Sequence, residues 1–213
     1  RGTTMKKMLL ALALAGSTLL SAAASAETLK IGTEGAYPPF NFQDSNGKLG
    51  GFDVEIGLAL CEKMKVECEV VGQDWDGIIP GLLAKKYDMI IASMFITEER
   101  KKTIDFTEPY FPPDPSRFLS KADKKFDYNS LKGLKIGAQN STIQAGYLDE
   151  KLKADNTILK YDTQDQEMAD LNAGNLDLVF IDGSVAQETA AGSNGALKSE
   201  GPDILIGDGA GFG

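Results

Sequence analysis

Apolar and polar positions along the chain fall into blocks that predict strands and helices in turn. Short apolar runs predict strands, and apolar residues spaced three or four positions apart predict helices. The predicted strands are residues 29–33, 68–71, 87–94, 135–139, 158–161 and 176–181. The predicted helices are residues 52–64, 80–86, a short segment after Thr97, 142–152, 164–173 and 185–191. Regular alternation of this kind predicts an α/β fold in which helices cover parallel sheets.

Single residues mark several of these boundaries. Pro80 suits the first turn of a helix, where no backbone donor is needed. Thr97 is a suitable amino-terminal cap for the short helix, which opens with two glutamates. Residues 108–120 carry four prolines and predict extended backbone without a helix. We therefore predict two similar lobes joined by a proline-rich crossover.

The first 26 residues predict a secretory leader. A basic start at Met5-Lys6-Lys7 precedes an apolar core over residues 8–20 and a small-residue cleavage signal that ends at Ala26. Residues 1–4 lie upstream of the predicted initiator. The apolar core is shorter than the roughly 20 residues that span a bilayer, and a retained membrane anchor is the alternative. We predict export to the periplasm, with cleavage after about Ala26.

The charge balance excludes several classes of partner. The net charge is −9, and removal of the leader, which holds three basic residues and no acids, leaves 19 basic against 31 acidic residues, or −12. An acidic chain without a basic cluster argues against binding to nucleic acid or to anionic lipid. The chain contains no histidine, the commonest general base and metal ligand. We predict no catalytic residue, no metal and no cofactor.

Cys61 and Cys68 are the only cysteines. In an exported protein an even pair favours a disulfide, which here would join the end of a helix to the next strand. Two buried free thiols are the alternative. Their spacing is not that of a C-x-x-C redox motif, which argues against redox catalysis.

Polar residues stand where predicted strands give way to helices. Ligands collect at the carboxyl ends of the strands in an open α/β sheet. An acid, an aromatic ring, an arginine, an amide-rich turn and a second acid at these places predict a pocket for a small zwitterion. The residues are Glu34, Trp75, Ser93 with Arg100, the turn Gln139-Asn140-Ser141-Thr142, and Asp182.

The chain resembles the periplasmic solute-binding proteins of ABC transporters for polar amino acids, of the lysine/arginine/ornithine-, histidine- and opine-binding type. The motifs that carry the resemblance are IGTEGAYPPF at residues 31–40, GFDVEI at 51–56, ITEERK at 96–101, IDFTEPY at 104–110 and GDGAG at 207–211. The resemblance implies a periplasmic binding protein type II fold with two lobes. We expect residues 27–116 in the first lobe, 117–206 in the second and 207–213 at the start of the return to the first. Family members continue past residue 213, so we expect a fragment whose first lobe is incomplete.

The resemblance also implies a role for each residue of the pocket. Arg100 would bind the ligand carboxylate through its planar fork, assisted by backbone N–H groups around Thr142 and Ile143. Asp182 would bind the ammonium with help from Ser93; a helix cap is the lesser alternative for an acid there. Further along the ligand, the aromatic rings of Tyr37 and Trp75 would enclose the side chain, Glu34 would face a cationic tip, and Gln139 would add an amide contact.

Two residues depart from the family pattern. Phe95 stands where members usually carry a serine that holds the ammonium, and Ile143 stands where many carry threonine. Phe95 implies either one hydrogen bond fewer to the ammonium or a larger or different ligand. The expected function is capture of a polar, cationic amino acid or opine by a monomer that delivers it to an ABC permease of the inner membrane. A periplasmic cyclohexadienyl dehydratase on the same fold, with Glu34 as general acid, is the alternative, and a sensor domain is a third.

Overall fold

Strands and helices alternate through most of the chain. The computed structural model describes residues 28–213, so the predicted leader and its cleavage site lie outside the described residues. The strands are β1 Leu29–Thr33, β2 Ala36–Tyr37, β3 Asn41–Gln43, β4 Leu49–Gly50, β5 Cys68–Gly72, β6 Met89–Ile90, β7 Ser116–Lys121, β8 Lys135–Gln139, β9 Thr157–Tyr161, β10 Leu178–Asp182 and β11 Leu197–Ile204. The helices are α1 Phe52–Met64, α2 Trp75–Leu83, α3 Glu98–Lys101, α4 Ile143–Lys151, α5 Gln164–Ala173 and α6 Gly183–Gly192.

Three sheets organise the two lobes. The first lobe contains a parallel sheet in the order β5-β1-β6 and a small antiparallel sheet, β2-β3-β4. The second lobe contains a five-stranded sheet in the order β11-β7-β10-β8-β9. Its strands β10, β8 and β9 are parallel, and β7 and β11 are antiparallel to their neighbours. The predicted α/β class with two lobes is therefore confirmed.

The proline-rich segment runs from the first lobe into β7 without forming a helix, as predicted. Where it meets the second lobe, the N–H of Gly183 donates a hydrogen bond of 2.8 Å to the carbonyl of Pro115. Residues 207–213 lie beside the first lobe, where the N–H of Ile96 donates to Gly209 and that of Ile90 to Gly213, each at 2.8 Å. The exact lobe boundaries at residues 116 and 206 remain a prediction.

Strand β10 shows how the second lobe is held together. All five of its residues are buried, as expected for a central strand that is covered on both faces. Leu178 and Phe180 pack into a cluster on one face of the sheet, and Val179 and Ile181 pack into a cluster on the other. Full burial of one such side chain stabilises the fold by about 1.5–3 kcal/mol, so the two faces give this lobe a double core.

Two aromatic residues of the first lobe belong to that second-lobe core. Tyr37 and Phe40 are both at most 9% exposed and pack with Leu119, Leu171 and Ile181. Their rings are nearly parallel, with centroids 6.0 Å apart. The two lobes are therefore in apolar contact next to the cleft between them.

Several predicted elements need correction. Helix α2 begins at Trp75, not at Pro80, because Trp75, Ile78 and Gly81 form one buried face that extends the helix upstream. Pro80 therefore lies inside the helix. The predicted strand 87–94 is regular only at Met89–Ile90, because the chain turns at Ser93, whose φ is +49°. Strands β2, β3, β4, β7 and β11 were not predicted as strands, although extended backbone was predicted over most of β7.

Other boundaries match the predictions closely. Helix α1 has the predicted bounds. Helix α5 also has them, and it begins after a capping Thr163 and ends at Gly174 in the left-handed conformation. A disulfide joins Cys61 to Cys68, which confirms the predicted pair. None of the helices between residues 28 and 213 combines the length and the apolar composition that a membrane span requires.

Candidate binding cleft

Asn140 and Ser141 of the predicted turn do not line the cavity between the two lobes, but the other ten residues predicted at the pocket do. They are Glu34, Tyr37, Trp75, Ser93, Phe95, Arg100, Gln139, Thr142, Ile143 and Asp182. The cavity has a volume of about 40 Å³, several times what one water molecule needs. The sequence reasoning missed two polar residues of the lining, Gln144 and Glu167. The roles of the individual residues in binding a ligand remain predictions.

The topology explains why distant residues meet here. Glu34 follows β1, while Gln139 and Asp182 are the last residues of β8 and β10. The carboxyl ends of parallel strands lie at one edge of a sheet, and this edge of each lobe faces the other lobe. Trp75 is the first residue of α2, and Thr142 caps α4, so both also stand at strand-to-helix turns.

Asp182 forms the acidic side of the cavity in the second lobe. Its carboxylate accepts hydrogen bonds from the Tyr37 hydroxyl, at 2.5 Å, and from the Gln144 amide. Burial raises its pKa to about 6, although the Tyr37 hydrogen bond opposes the shift. Asp182 precedes α6, but its side chain makes no capping hydrogen bond. The alternative role of a helix cap is therefore wrong for this side chain.

Glu34 places a second carboxyl in the cavity, from the first lobe. It is 8% exposed, and its Oε1 accepts a hydrogen bond of 2.5 Å from the amide of Gln139 in the second lobe. Burial raises its pKa to about 7; the Gln139 hydrogen bond lowers it, and the negative charges of Asp74 and Asp76 raise it further. Near neutral pH this carboxyl is therefore poised to ionise beside a cation.

Arg100 supplies the basic group. Thr97 caps its short helix by accepting a hydrogen bond from the Arg100 N–H at 3.1 Å, as predicted. The guanidinium donates to the carbonyl of Phe95 at 2.7 Å and to that of Ser141 at 3.3 Å, and it lies 5.4 Å from the centre of the Trp75 ring. Burial lowers its pKa to about 10, so it stays charged near neutral pH.

Ser93 is held by a buried carboxylate, Asp53. The Ser93 hydroxyl lies 3.0 and 3.1 Å from the two Asp53 oxygens, to which it donates. Asn41 donates to Asp53 at 2.8 Å and Tyr110 donates at 2.7 Å. Asn41 also accepts the N–H of Gly35 at 2.7 Å. This network fixes Ser93 in a left-handed conformation that is uncommon for residues other than glycine, and the Ser93 oxygen can still accept a hydrogen bond.

The start of helix α4 offers backbone donors. The Thr142 hydroxyl accepts the N–H of Ala145 at 3.1 Å and donates to the carbonyl of Gln139 at 2.7 Å, so it is used for capping. Within residues 28–213, the N–H groups of Ser141, Thr142 and Ile143 have no hydrogen-bond partner. Free N–H groups at a helix start attract anions.

The aromatic residues of the lining make contacts of their own. Tyr37 and Trp75 are each 9% exposed. The Tyr37 ring packs on the second lobe, and the Trp75 ring lies against Arg100. Their enclosure of a ligand side chain remains a prediction. Phe95 lines the wall with its ring, and its main-chain carbonyl, which any residue at this position would supply, accepts a hydrogen bond from Arg100.

Polar contacts cross the cleft at several points. Tyr37 donates to Asp182, Gln139 to Glu34, and Arg100 to Ser141. At the rim, the Asn140 amide donates to Asp76 at 2.8 Å. The lobes are thus closed over the cavity.

The two lobes close around a cavity that holds separate acidic and basic groups. This is the architecture of a receptor for small solutes. The sequence profile of the bacterial extracellular solute-binding proteins, family 3, matches residues 29–187. The chain belongs to this family, as its sequence motifs predicted.

Individual relatives agree with the family. The chain is 44% identical over 185 residues to an L-arginine-binding protein of Pseudomonas aeruginosa, covering 84% of this chain and 70% of that protein. It is 38% identical over 189 residues to an octopine-binding periplasmic protein of Rhizobium meliloti, covering 77% of this chain and 64% of that protein. A periplasmic His/Glu/Gln/Arg/opine family-binding protein from Silicibacter pomeroyi, solved in complex with lysine, superposes with a TM-score of 0.79 at 40% identity, covering 87% of this chain and 81% of that one.

The family also bears on the dehydratase, one of the alternatives that the sequence left open. Its members and the relatives named above are binding proteins, and none of these relatives supports the dehydratase alternative. The protein is a solute-binding protein, not an enzyme.

Proposed function

We propose that this protein captures a cationic amino acid in the periplasm by closing its two lobes and delivers it, as a monomer, to an ABC permease. The observation that carries the proposal is one guanidinium, Arg100, sharing a closed cavity with the two carboxyls of Asp182 and Glu34. A free cationic amino acid offers one carboxylate and two cationic groups, which matches this set. The arginine, octopine and lysine in the names of the relatives all carry a cationic side chain or are derived from one.

The ligand carboxylate would lie at Arg100 and the free N–H groups of α4. A guanidinium can form two parallel hydrogen bonds with a carboxylate, and the helix start adds a favourable dipole. The guanidinium now donates to two carbonyls, on Phe95 and Ser141, which belong to different lobes. The Arg100 guanidinium can therefore contact the ligand and both lobes.

The ligand ammonium would lie at Asp182, with Ser93 as a second acceptor. Asp182 accepts two hydrogen bonds from neutral donors, no basic side chain among residues 28–213 is bonded to it, and its pKa is raised to about 6. An ammonium at hydrogen-bond distance would stabilise the ionised form. The cationic side chain would extend toward Glu34 and Gln139, between the rings of Tyr37 and Trp75.

A direct binding titration tests the proposal. Trp75 is the only tryptophan of the chain and lines the cavity, so its fluorescence reports on occupancy. We expect saturable binding of arginine, lysine or ornithine, with heat release at the same midpoint in calorimetry. Glutamate and citrulline are matched controls, because the first replaces the cationic tip with an anion and the second replaces the guanidinium with a neutral isostere. Binding of citrulline as tight as that of arginine would contradict the role of Glu34.

Delivery to a permease requires the closed form to be populated by ligand. A ligand that contacts both lobes shifts the population toward closure. Small-angle scattering with and without arginine should show a smaller radius of gyration in the bound state. An unchanged radius at saturating arginine would contradict delivery by ligand-driven closure.

A further inference from the structure

Glu167 is a buried carboxyl in the cavity wall that the proposed function does not use. It lies in the first turn of α5 and is 1% exposed. Its Oε2 has no hydrogen-bond partner among residues 28–213. An acid in the first turn of a helix is ordinary on the surface, where it faces water and the helix dipole. Here the same helix position points into a closed cavity.

Without a ligand, the groups around Glu167 favour its neutral, protonated form. Burial raises its pKa well above the ordinary value of 4.5, and the carboxylates of Asp182 and Glu34 raise it further. The two tyrosines whose pKa values it raises donate their hydroxyls elsewhere, Tyr37 to Asp182 and Tyr161 to Asp170. A buried acceptor without a donor destabilises a fold, and a ligand nitrogen in the cavity would supply the missing donor.

We propose that Glu167 contacts the ligand, accepting a hydrogen bond from one of its nitrogen groups and excluding ligands that carry a second carboxylate beside the amine. This inference rests on the proposed function and narrows it. The ligand would be a free cationic amino acid and not an opine, in which the amine carries an added carboxyalkyl group.

The charges of the lining support this choice. Arg100 is the only basic side chain among the cavity-lining residues, all of which lie in the described part of the chain, against the three acids Glu34, Glu167 and Asp182. The carboxylate of a free amino acid uses that one basic group. A second carboxylate would lie in a closed space with acidic neighbours and no cation, which strongly disfavours it.

Two substitutions test the proposal against two ligands. Glu167→Gln keeps the shape but cannot ionise, and Glu167→Leu also removes the acceptor. The probes are arginine and octopine, which is arginine with a carboxyethyl group on its amine. Gln164→Leu is the matched control, because Gln164 is on the same helix, is 5% exposed and has an unpaired Oε1, but does not line the cavity. Calorimetry gives each Kd, and thermal unfolding gives each Tm without ligand.

We expect the unmodified protein to bind arginine at least tenfold more tightly than octopine. Both Glu167 variants should weaken arginine binding roughly tenfold or more, and Glu167→Gln should narrow the preference for arginine over octopine. Glu167→Leu should raise the Tm without ligand, because it removes an unpaired buried acid. Gln164→Leu should leave both dissociation constants unchanged.

Three results would overturn the inference. In the first, both Glu167 variants bind arginine and octopine with affinities within twofold of those of the unmodified protein. This result would leave the proposed function intact. Another is tighter binding of octopine than of arginine by the unmodified protein. The third is a lower Tm in both Glu167 variants with equal weakening of the two ligands, which would make Glu167 a purely structural residue. Failure of the unmodified protein to bind any cationic amino acid would instead remove the proposed function itself, and this inference with it.

Discussion

Replacement of Arg100 with alanine should remove the anchor for the ligand carboxylate. In the closed cavity that carboxylate would keep the N–H groups at the start of α4 but lose its only cation. Loss of one partner of a buried, hydrogen-bonded charge pair costs about 2–5 kcal/mol of binding free energy. We therefore expect the Kd for arginine to rise between roughly 30-fold and several thousandfold.

A second variant separates charge from shape. Arg100→Lys keeps the positive charge but loses the planar fork and its stacking on Trp75, which lies 5.4 Å from the guanidinium. We expect an intermediate loss, on the order of tenfold, because one donor direction replaces two parallel ones. Calorimetry is the suitable assay here, because both variants alter the surroundings of Trp75 and therefore its fluorescence.

Arg117→Ala is the matched control for these measurements. Arg117 is also partly buried, with its Nε 2.9 Å from Oδ1 of Asp203, but it lies outside the cavity. The Arg117→Ala substitution should change the free energy of unfolding and leave the Kd for arginine unchanged. The role of Arg100 as carboxylate anchor is refuted if Arg100→Ala retains arginine affinity within threefold while its circular dichroism shows an intact fold.

Three further outcomes follow from the structure. Affinity for arginine should rise roughly tenfold from pH 6 to pH 8 as Glu34, with a pKa of about 7, loses its proton, and Glu34→Gln should flatten this profile. Asp182, with a pKa of about 6, adds a smaller rise below pH 6.5. Replacement of Cys61 and Cys68 with serine should lower the free energy of unfolding by about 2 kcal/mol. Asp53→Asn should lower it by about 2 kcal/mol and weaken ligand binding, because Asp53 accepts hydrogen bonds from three side chains.

Each of these outcomes has a direct check. Calorimetry across the pH range would contradict the first if the affinity fell with rising pH, since ionised carboxyls attract the cation more strongly. For the disulfide, an unfolding midpoint in guanidinium chloride that is insensitive to reductant would be the contrary result. For the buried carboxylate, unchanged stability in urea would show that its three hydrogen bonds have no net effect.

Local chemistry made much of the fold predictable. Helix α5 has its predicted bounds because Thr163 and Gly174 act at its ends through their own hydrogen bonding and conformation. The candidate site could be assembled for a similar reason, since strand ends converge in any parallel sheet. The bounds of α5 and the convergence of strand ends can both be predicted without knowledge of distant contacts.

The missed elements depend on such contacts. Strand β11 contains Gly201 and Pro202, which disfavour a strand, and it forms because it pairs with β7 at the edge of the sheet. The helix predicted from Pro80 starts earlier because burial of Trp75 outweighs a local preference. Glu167 looks like an ordinary first-turn acid in the sequence, and only the packing of α5 reveals that it is buried.

The aromatic pair Tyr37 and Phe40 gives the cleft an adhesion of its own. Its rings are shielded from water by the second lobe, so opening the cleft uncovers apolar surface at about 2.5 kcal/mol for each 100 Å². We expect this adhesion to favour the shut form even without solute, so that empty copies would compete with loaded ones for the proposed permease. A polar substitution at Phe40, which lies outside the cavity lining, would weaken this adhesion and reduce such empty encounters without altering the hydrogen bond from Tyr37 to Asp182.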